Sequence, residues 1–376
     1  MVRKDPILFK KYPNLKDKVP WIPLLLNCPT PVQRLANLEE YFNLEGQIYI
    51  KRDDINHNVY GGNKLRKFEF LFANTLKRKK KKAIVTYGGI GTNHGLACVI
   101  VCNSFDPPIK CDLFLYNQPL TKQVQQSLLL FKYFGARLHL GKKDIGTFIK
   151  ALFFWIFHHK YDFILPGGTP IFGRGTPLGT VGFIEAILEL KEQIDKGLMP
   201  EPEIIIVAGG TTGTAAGLTA GCKLAGLNTK IFCVAVYKDF LANASNLISN
   251  ANKALKYLHK VDNNFPKVKV SEDDFKMIKG YIGAGYGHQT IKGQKAVDLV
   301  FNLEGKEKGF LLDTTYTGKA MAAMFDCLKE EENRDKIFLF WNTYNSNDLS
   351  EYLDEIKFEY KALPKKFHKF FENPSP

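Results

Sequence analysis

The chain has 376 residues, 45% of them hydrophobic and 24% charged, enough for a sizeable core in two domains, or in one large domain with an insertion. Its first segment, Met1 to Leu15, is interrupted by charges and prolines, and the longest apolar run, Ala151–Phe157, is far short of the roughly 20 residues of a membrane span, so a cytoplasmic protein with no membrane partner is expected. The formal charge of +14 raises a nucleic-acid partner, but much of the excess sits in Leu76–Ala83 and Lys361–Phe371, no nucleic-acid-binding pattern is present, and none is expected.

Apolar runs predict strands at Ile48–Lys51, Ala83–Tyr87, Cys111–Tyr116, Arg137–Leu140, Asp162–Leu165, Glu203–Ala208, Lys230–Val236 and Lys336–Trp341. After the first strand, Leu65, Phe68, Leu71 and Phe72 recur at helical spacing, so a helix begins near Lys64, with Arg66, Lys67 and Glu69 turned toward solvent. The basic run that follows reads as a solvated helix end, where cations suit the dipole. Thr121 and Gly135 read as the cap and the stop of one helix. Ala151–Phe157 reads as a buried helix, with exposure at a partner or membrane surface as the alternative. The segment 249–267 is the most polar irregular stretch. Seven cysteines, with no C-x-x-C pair and mostly in apolar runs, read as buried small hydrophobes in a reducing compartment, not disulfides or a zinc site. Strands alternating with helices predict an α/β fold with mostly parallel sheets covered on both faces, whose ligands sit beyond the C-terminal strand ends.

Three such loops stand out. In Ile206–Leu218 (IVAGGTTGTAAGL) a buried strand runs into glycines and threonines and then into a small-residue helix. Gly210, Thr211, Thr212, Gly213 and Thr214 suit a phosphate, because backbone N–H groups, hydroxyls and a helix N-terminus converge; a tight strand-to-helix turn is the alternative. It is neither a Walker loop nor a G-x-G-x-x-G fingerprint. In Thr86–Ala97 a second glycine turn leads to Thr92, Asn93 and His94 at a helix start, which suits a carboxylate, although His94 alone reads as a structural histidine. The third, Leu311–Met324, carries Tyr316 and Thr317 ahead of a glycine. Lys64 follows Gly61 and Gly62 at the helix end least favourable to a cation.

One lysine, one phosphate loop and one anion-binding helix start suggest a phosphorylated cofactor held as a Schiff base. The segments TPVQRLANLEEYF, IYIKRDD, GGNKLRKFEF, YGGIGTNHGLA, VAGGTTGTAAGL, GAGYGH and LLDTTYTGKAMAAM occur in the order of one family. From about Pro29 to Asn345 the chain resembles pyridoxal-phosphate enzymes of the tryptophan-synthase-β fold type. It is most similar to the branch of D-cysteine desulfhydrase and 1-aminocyclopropane-1-carboxylate deaminase. The resemblance implies two open, twisted, mostly parallel sheets. A large cofactor-binding domain would comprise 1–66 and 165–376, a smaller α/β domain 67–164 would be inserted in it, the site would lie in the cleft between them, and the protein would be a homodimer.

By the same resemblance Lys64 forms the Schiff base with pyridoxal phosphate and is catalytic. Asn93 binds the phenolic oxygen of the cofactor, and Gly210–Thr214 bind its phosphate. Thr92, where the family usually has serine, lies beside a small amino-acid substrate, with Asn93, His94, Tyr286 and Thr343 also on the substrate side. Tyr286 and Tyr316 align with two active-site tyrosines, and Thr317 falls opposite the pyridine nitrogen, where the deaminases carry glutamate. A hydroxyl there makes a weaker electron sink, which suffices for β-elimination. Together with Thr343 it favours D-cysteine, giving pyruvate, sulfide and ammonia. The deaminase reaction giving 2-oxobutanoate, or another β-substituted substrate such as cysteate, is the alternative. Gly91, His288 and Tyr344–Asn345 depart from the family pattern near the pocket. Retention of Lys64, Thr92, Asn93, Tyr286 and Tyr316 argues against a degenerate cofactor-binding or nucleic-acid-binding protein. The eight histidines show no metal-ligand spacing and no G-x-S-x-G is present, so a metal or serine hydrolase has no support.

Overall fold

The computed structural model describes residues 4–78, 82–168, 175–357 and 359–372. Among them ten strands form two sheets: β1 Val32–Arg34, β2 Ile48–Arg52, β3 Ala83–Gly89, β4 Lys110–Tyr116, β5 Arg137–Leu140, β6 Tyr161–Phe163, β7 Ile204–Gly209, β8 Lys230–Ala235, β9 Phe275–Ile278 and β10 Phe338–Asn342. The first sheet runs β1-β2-β10-β7-β8-β9 and the second β5-β4-β3-β6. Every pairing is parallel except β1 with β2, where Val32 faces Lys51.

Two compact units share the chain. Met1–Phe70 with Gly168–Asn347 forms one, and Leu71–Gly167 with Asp348–Pro376 the other. The chain therefore joins the second unit again at Asp348, whereas the sequence reading kept it in the first. Aromatic contacts account for this: Tyr352 packs on Tyr133 and Phe134 at 5.6 and 5.2 Å, and Gln125 donates to the Phe370 carbonyl at 2.7 Å.

In the first unit Ile48, Ile50, Ile204, Ile206, Phe338 and Phe340 pack on one face against Ala320, Met321 and Met324. Beyond the other face, the Gly213–Ala225 and Leu178–Asp195 helices meet closely: a Cβ at Gly217 would lie 2.4 Å from that of Phe183. The small residues after β7 therefore serve helix packing as well as the loop. In the second unit Ala83, Val85, Phe114, Ala151 and Tyr161 form one core cluster.

Four expectations are corrected. Arg66, Lys67 and Glu69 are buried, not solvated. Arg66 pairs with Asp53 and Glu189 at 2.7 and 2.9 Å, Lys67 lies 5.7 Å from the Phe183 ring centre, and Glu69 accepts from the amides of Leu24 and Leu25. Polar residues can occupy a buried face when each finds a partner, and periodicity alone does not reveal partners. Most of 249–267 is helix, Ala244–Val261, burying Leu247, Ala251, Ala254, Leu255 and Leu258. β1 and β9 were not expected, being short edge strands of three and four residues. Ala151–Phe157, read first as a buried helix with exposure as the alternative, ends the Asp144–Phe157 helix, which exposes a run of large apolar side chains. Of the basic run, Lys79, Lys80 and Lys81 lie outside the described residues.

Candidate active site

β2 hands the chain to a turn that reverses through Gly61 and Gly62 into the Asn63–Lys77 helix. Both glycines are required. A Cβ at Gly61 would fall 1.9 Å from the Asp54 carbonyl oxygen, and one at Gly62, whose φ is +102°, would fall 2.7 Å from that of Thr343. The segment after β10 holds this turn: Gly61 N–H donates to Asn345 Oδ1 at 2.7 Å and Asn63 N–H to the Thr343 carbonyl at 3.3 Å. Asn345, one of the departures from the family pattern, is thus an anchor for the lysine loop.

Lys64 Nζ donates to Asn63 Oδ1 at 2.5 Å. Its side chain keeps part of its surface accessible, yet dense surrounding protein pulls the amine down to about 8, against the opposing pull of the Asp313 carboxylate. The same Asn63 donates from Nδ2 to Thr214 Oγ1 at 3.1 Å. One amide therefore joins the lysine to the glycine-threonine loop.

That loop leaves β7 at Gly209 and enters the Gly213–Ala225 helix at Thr212, whose φ of +59° is left-handed. No side chain caps the helix, so its first N–H groups point out toward the loop. Thr212 Oγ1 is turned back onto the Thr211 carbonyl at 2.7 Å, and a Cβ on Gly210 would meet the Tyr316 ring at 3.5 Å. Tyr316 in turn donates to the Tyr286 hydroxyl at 2.8 Å. The two tyrosines and the loop are thus brought together, while His288 is exposed.

Asp313 organises the start of the Thr317–Leu328 helix. Its carboxylate accepts from the amides of Thr315, Tyr316 and Thr317 and from Thr317 Oγ1 at 2.7 Å, and Thr317 Oγ1 accepts from the Asp313 amide. The Thr317 hydroxyl proton is therefore committed to Asp313. Sequence reasoning missed this residue; an aspartate four positions ahead of a helix-starting threonine was the available signal.

In the second unit, Thr92 caps the Asn93–Asn103 helix, its Oγ1 accepting from Gly95 N–H at 3.2 Å. Asn93 is half-buried and Thr92 and His94 are buried. Thr86 Oγ1 donates to the Ile164 carbonyl at 2.7 Å and lies 3.0 Å from His94 Nε2, so that nitrogen serves as the donor. This ties His94 to the strand, as a structural histidine. In the same unit Cys98, Cys102 and Cys111 bring their sulfurs within 4.8 Å of one another, all buried. The sequence showed no pairing because a helix turn and a strand start supply them separately.

A family model described as "Pyridoxal-phosphate dependent enzyme" matches residues 24–342. The chain belongs to that family. Two D-cysteine desulfhydrases, from Salmonella typhi and Salmonella paratyphi C, are each 30% identical to this pyridoxal-phosphate enzyme over 87% of its length and 95% of theirs. A solved structure titled as an ACC deaminase homologue covers 92% of the chain and 98% of its own at 24% identity and a TM-score of 0.72. A fungal L-serine ammonia-lyase from Rhizomucor miehei covers 89% and 99% at 17% identity and a TM-score of 0.58. These two likenesses establish the fold.

The residues fit the cofactor. An aldehyde needs a lysine whose neutral amine is accessible near pH 7, and burial gives Lys64 that character. A phosphate needs free N–H groups at a helix start, and the 13-residue Gly213–Ala225 helix provides them. Asn63 holds the two together. No described helix is long and apolar enough to cross a membrane.

Proposed function

We propose that this pyridoxal-phosphate enzyme is a lyase that eliminates the β-substituent of a small amino acid. D-Cysteine is the substrate, and with water it gives pyruvate, hydrogen sulfide and ammonia. The observation that carries this reading is Lys64: a largely buried amine at a helix start, drawn down to about 8 and linked through Asn63 to an uncapped glycine-threonine loop. The Salmonella relatives named for D-cysteine support the substrate.

Bound pyridoxal phosphate supplies the electron sink that makes the substrate Cα acidic. Lys64 Nζ takes the proton from that Cα, its lowered basicity leaving a useful share of neutral amine. Gly210 to Thr214 hold the phosphate. Thr92 and the N–H groups at the start of its helix bind the substrate carboxylate, as the family position of that segment suggests, with Asn93 beside the cofactor oxygen. Tyr286 and Tyr316, sharing one hydrogen bond, hold a proton for the departing sulfur. Thr343, whose backbone already braces Asn63, adds a hydroxyl on the substrate side. Thr317, neutral and satisfied by Asp313, brings no full charge to the pyridine nitrogen. That absence of charge favours elimination, where a leaving group takes the electrons, over ring opening. The protein acts in the cytoplasm as a homodimer.

Incubation with D-cysteine tests the substrate by its yield of sulfide and pyruvate. Release of 2-oxobutanoate from 1-aminocyclopropane-1-carboxylate, with D-cysteine inert, overturns it in favour of deamination. Turnover of cysteate or β-chloroalanine alone keeps the reaction type and replaces the substrate.

A further inference from the structure

We propose that the outer face of the Asp144–Phe157 helix docks on the anionic surface of a lipid bilayer. The helix is apolar nearly all round. One face is spent on the sheet beneath it: Thr147 and Ala151 are buried, Phe148 lies 5.1 Å from Tyr87, and Phe154 lies 5.3 Å from Phe114. The opposite face is bare. Ile145, Ile149, Phe153, Ile156 and Phe157 are 75, 43, 54, 47 and 71% exposed. Their spacings of four, four, three and one place them on a single helical stripe, and Phe153 stacks on Phe157 at 6.3 Å. Five large apolar side chains in one contiguous row are not the scattered exposure of an ordinary surface.

Charge selects the occupant. Lys142 and Lys143 precede the stripe, Lys150 flanks it, and His158, His159 and Lys160 follow it, all exposed. Lys82 N–H donates to the Lys160 carbonyl at 2.8 Å, which brings the exposed Lys82 to the same end. Between residues 142 and 160 the one acidic residue is Asp144. A second copy meeting this face through two-fold symmetry would set these lysines against their own equivalents, in a chain that already carries +14. An anionic lipid surface instead pairs with the lysines while the isoleucines and phenylalanines enter the headgroup boundary. The helix has 14 residues, about 21 Å at 1.5 Å per residue, so it lies in the plane of the surface and does not span.

Co-sedimentation of the full-length, cofactor-loaded protein with vesicles tests this, comparing phosphatidylcholine alone with phosphatidylcholine containing phosphatidylserine. The expected result is binding to the anionic vesicles, at least about tenfold above neutral ones and weakened by salt. The double variant Phe153→Asp with Phe157→Asp, both exposed, loses that binding. Lys142→Glu with Lys150→Glu loses the preference for phosphatidylserine. Circular dichroism and turnover stay as in the parent chain for both variants. Equal binding to both vesicle types, no binding by the parent chain, or binding untouched by the aspartates overturns the proposal. So does sedimentation velocity showing that the aspartates split a dimer while vesicle binding is absent, which assigns the stripe to a second copy.

Discussion

The Asn63 amide donates to the Thr214 hydroxyl across 3.1 Å, while its oxygen accepts from the Lys64 amine at 2.5 Å. Two elements far apart in sequence are thereby set in register by one side chain: the lysine proposed to attack an aldehyde and the loop that suits a phosphate. Asn63→Ala removes both bonds. It is expected to weaken pyridoxal-phosphate binding about 10- to 100-fold, the cost of losing one hydrogen bond with the lysine amine and one with a neutral hydroxyl. An absorbance titration of the cofactor-free protein checks this, and unchanged affinity contradicts it.

Burial holds the Lys64 amine at about 8, below its ordinary 10.5, and Asp313 opposes the shift. The rate of cofactor uptake, which needs the neutral amine, should therefore rise through a midpoint near 8. Asp313→Asn removes the opposing charge, so its midpoint should move down. Linkage has the same sign. Between about 8 and 10.5 the unfolded chain holds the Lys64 proton and the folded chain does not, so cofactor-free stability should rise with pH in that window. Lys64→Met should lose this rise, read as thermal midpoints across pH 7 to 11 (about the span of both values).

Glu189 anchors the helix that carries Lys64. Its Oε1 accepts from Lys51 at 2.7 Å and from Arg66 at 2.9 Å, all three buried. Glu189→Gln leaves those two cations undercompensated and should cost about 3–5 kcal/mol in chemical denaturation. Burial raises the Glu189 carboxyl, but Arg66 and Lys51 outweigh it and hold it well below the usual carboxylate range. Its stabilising share is therefore present above the unfolded value and lost as pH falls toward the folded one. The parent chain should lose stability steeply in acid, and the glutamine variant less so.

Tyr316 donates to Tyr286 at 2.8 Å beside the glycine loop. If this pair supplies the proton for the leaving group, Tyr316→Phe should lower kcat on D-cysteine about 100-fold, within the usual range for acid–base groups, and leave the cofactor's visible band in place. Loss of the band instead would assign the tyrosine to cofactor binding.

Much of this architecture was legible in the residues. The buried strands announced themselves as unbroken apolar runs, and Ile204–Gly209 lies within a residue of the expected span. Thr92 and Thr121 were readable as caps because a hydroxyl just before a helix has one obvious use. Arg66, Lys67 and Glu69 were misplaced because charge was taken for exposure, and their partners Asp53, Glu189, Phe183 and the Leu24 amide all lie outside their own helix. For Ala151–Phe157 the opposite assumption was made: apolar residues were taken for buried ones first, with exposure only the alternative, and the stripe extends back to Ile145. Asp313 escaped although its place four residues ahead of Thr317 was a local signal, and Asn63 escaped because its role lies in geometry that only the folded loops create.

Borohydride reduction of the cofactor-loaded protein, followed by peptide mapping, tests the central claim most directly. The account predicts a single stable pyridoxyl adduct on the peptide containing Lys64, and none in Lys64→Ala. An adduct on Lys67, Lys319 or any other lysine of the parent chain, or a protein that stays colourless with pyridoxal phosphate, would contradict it.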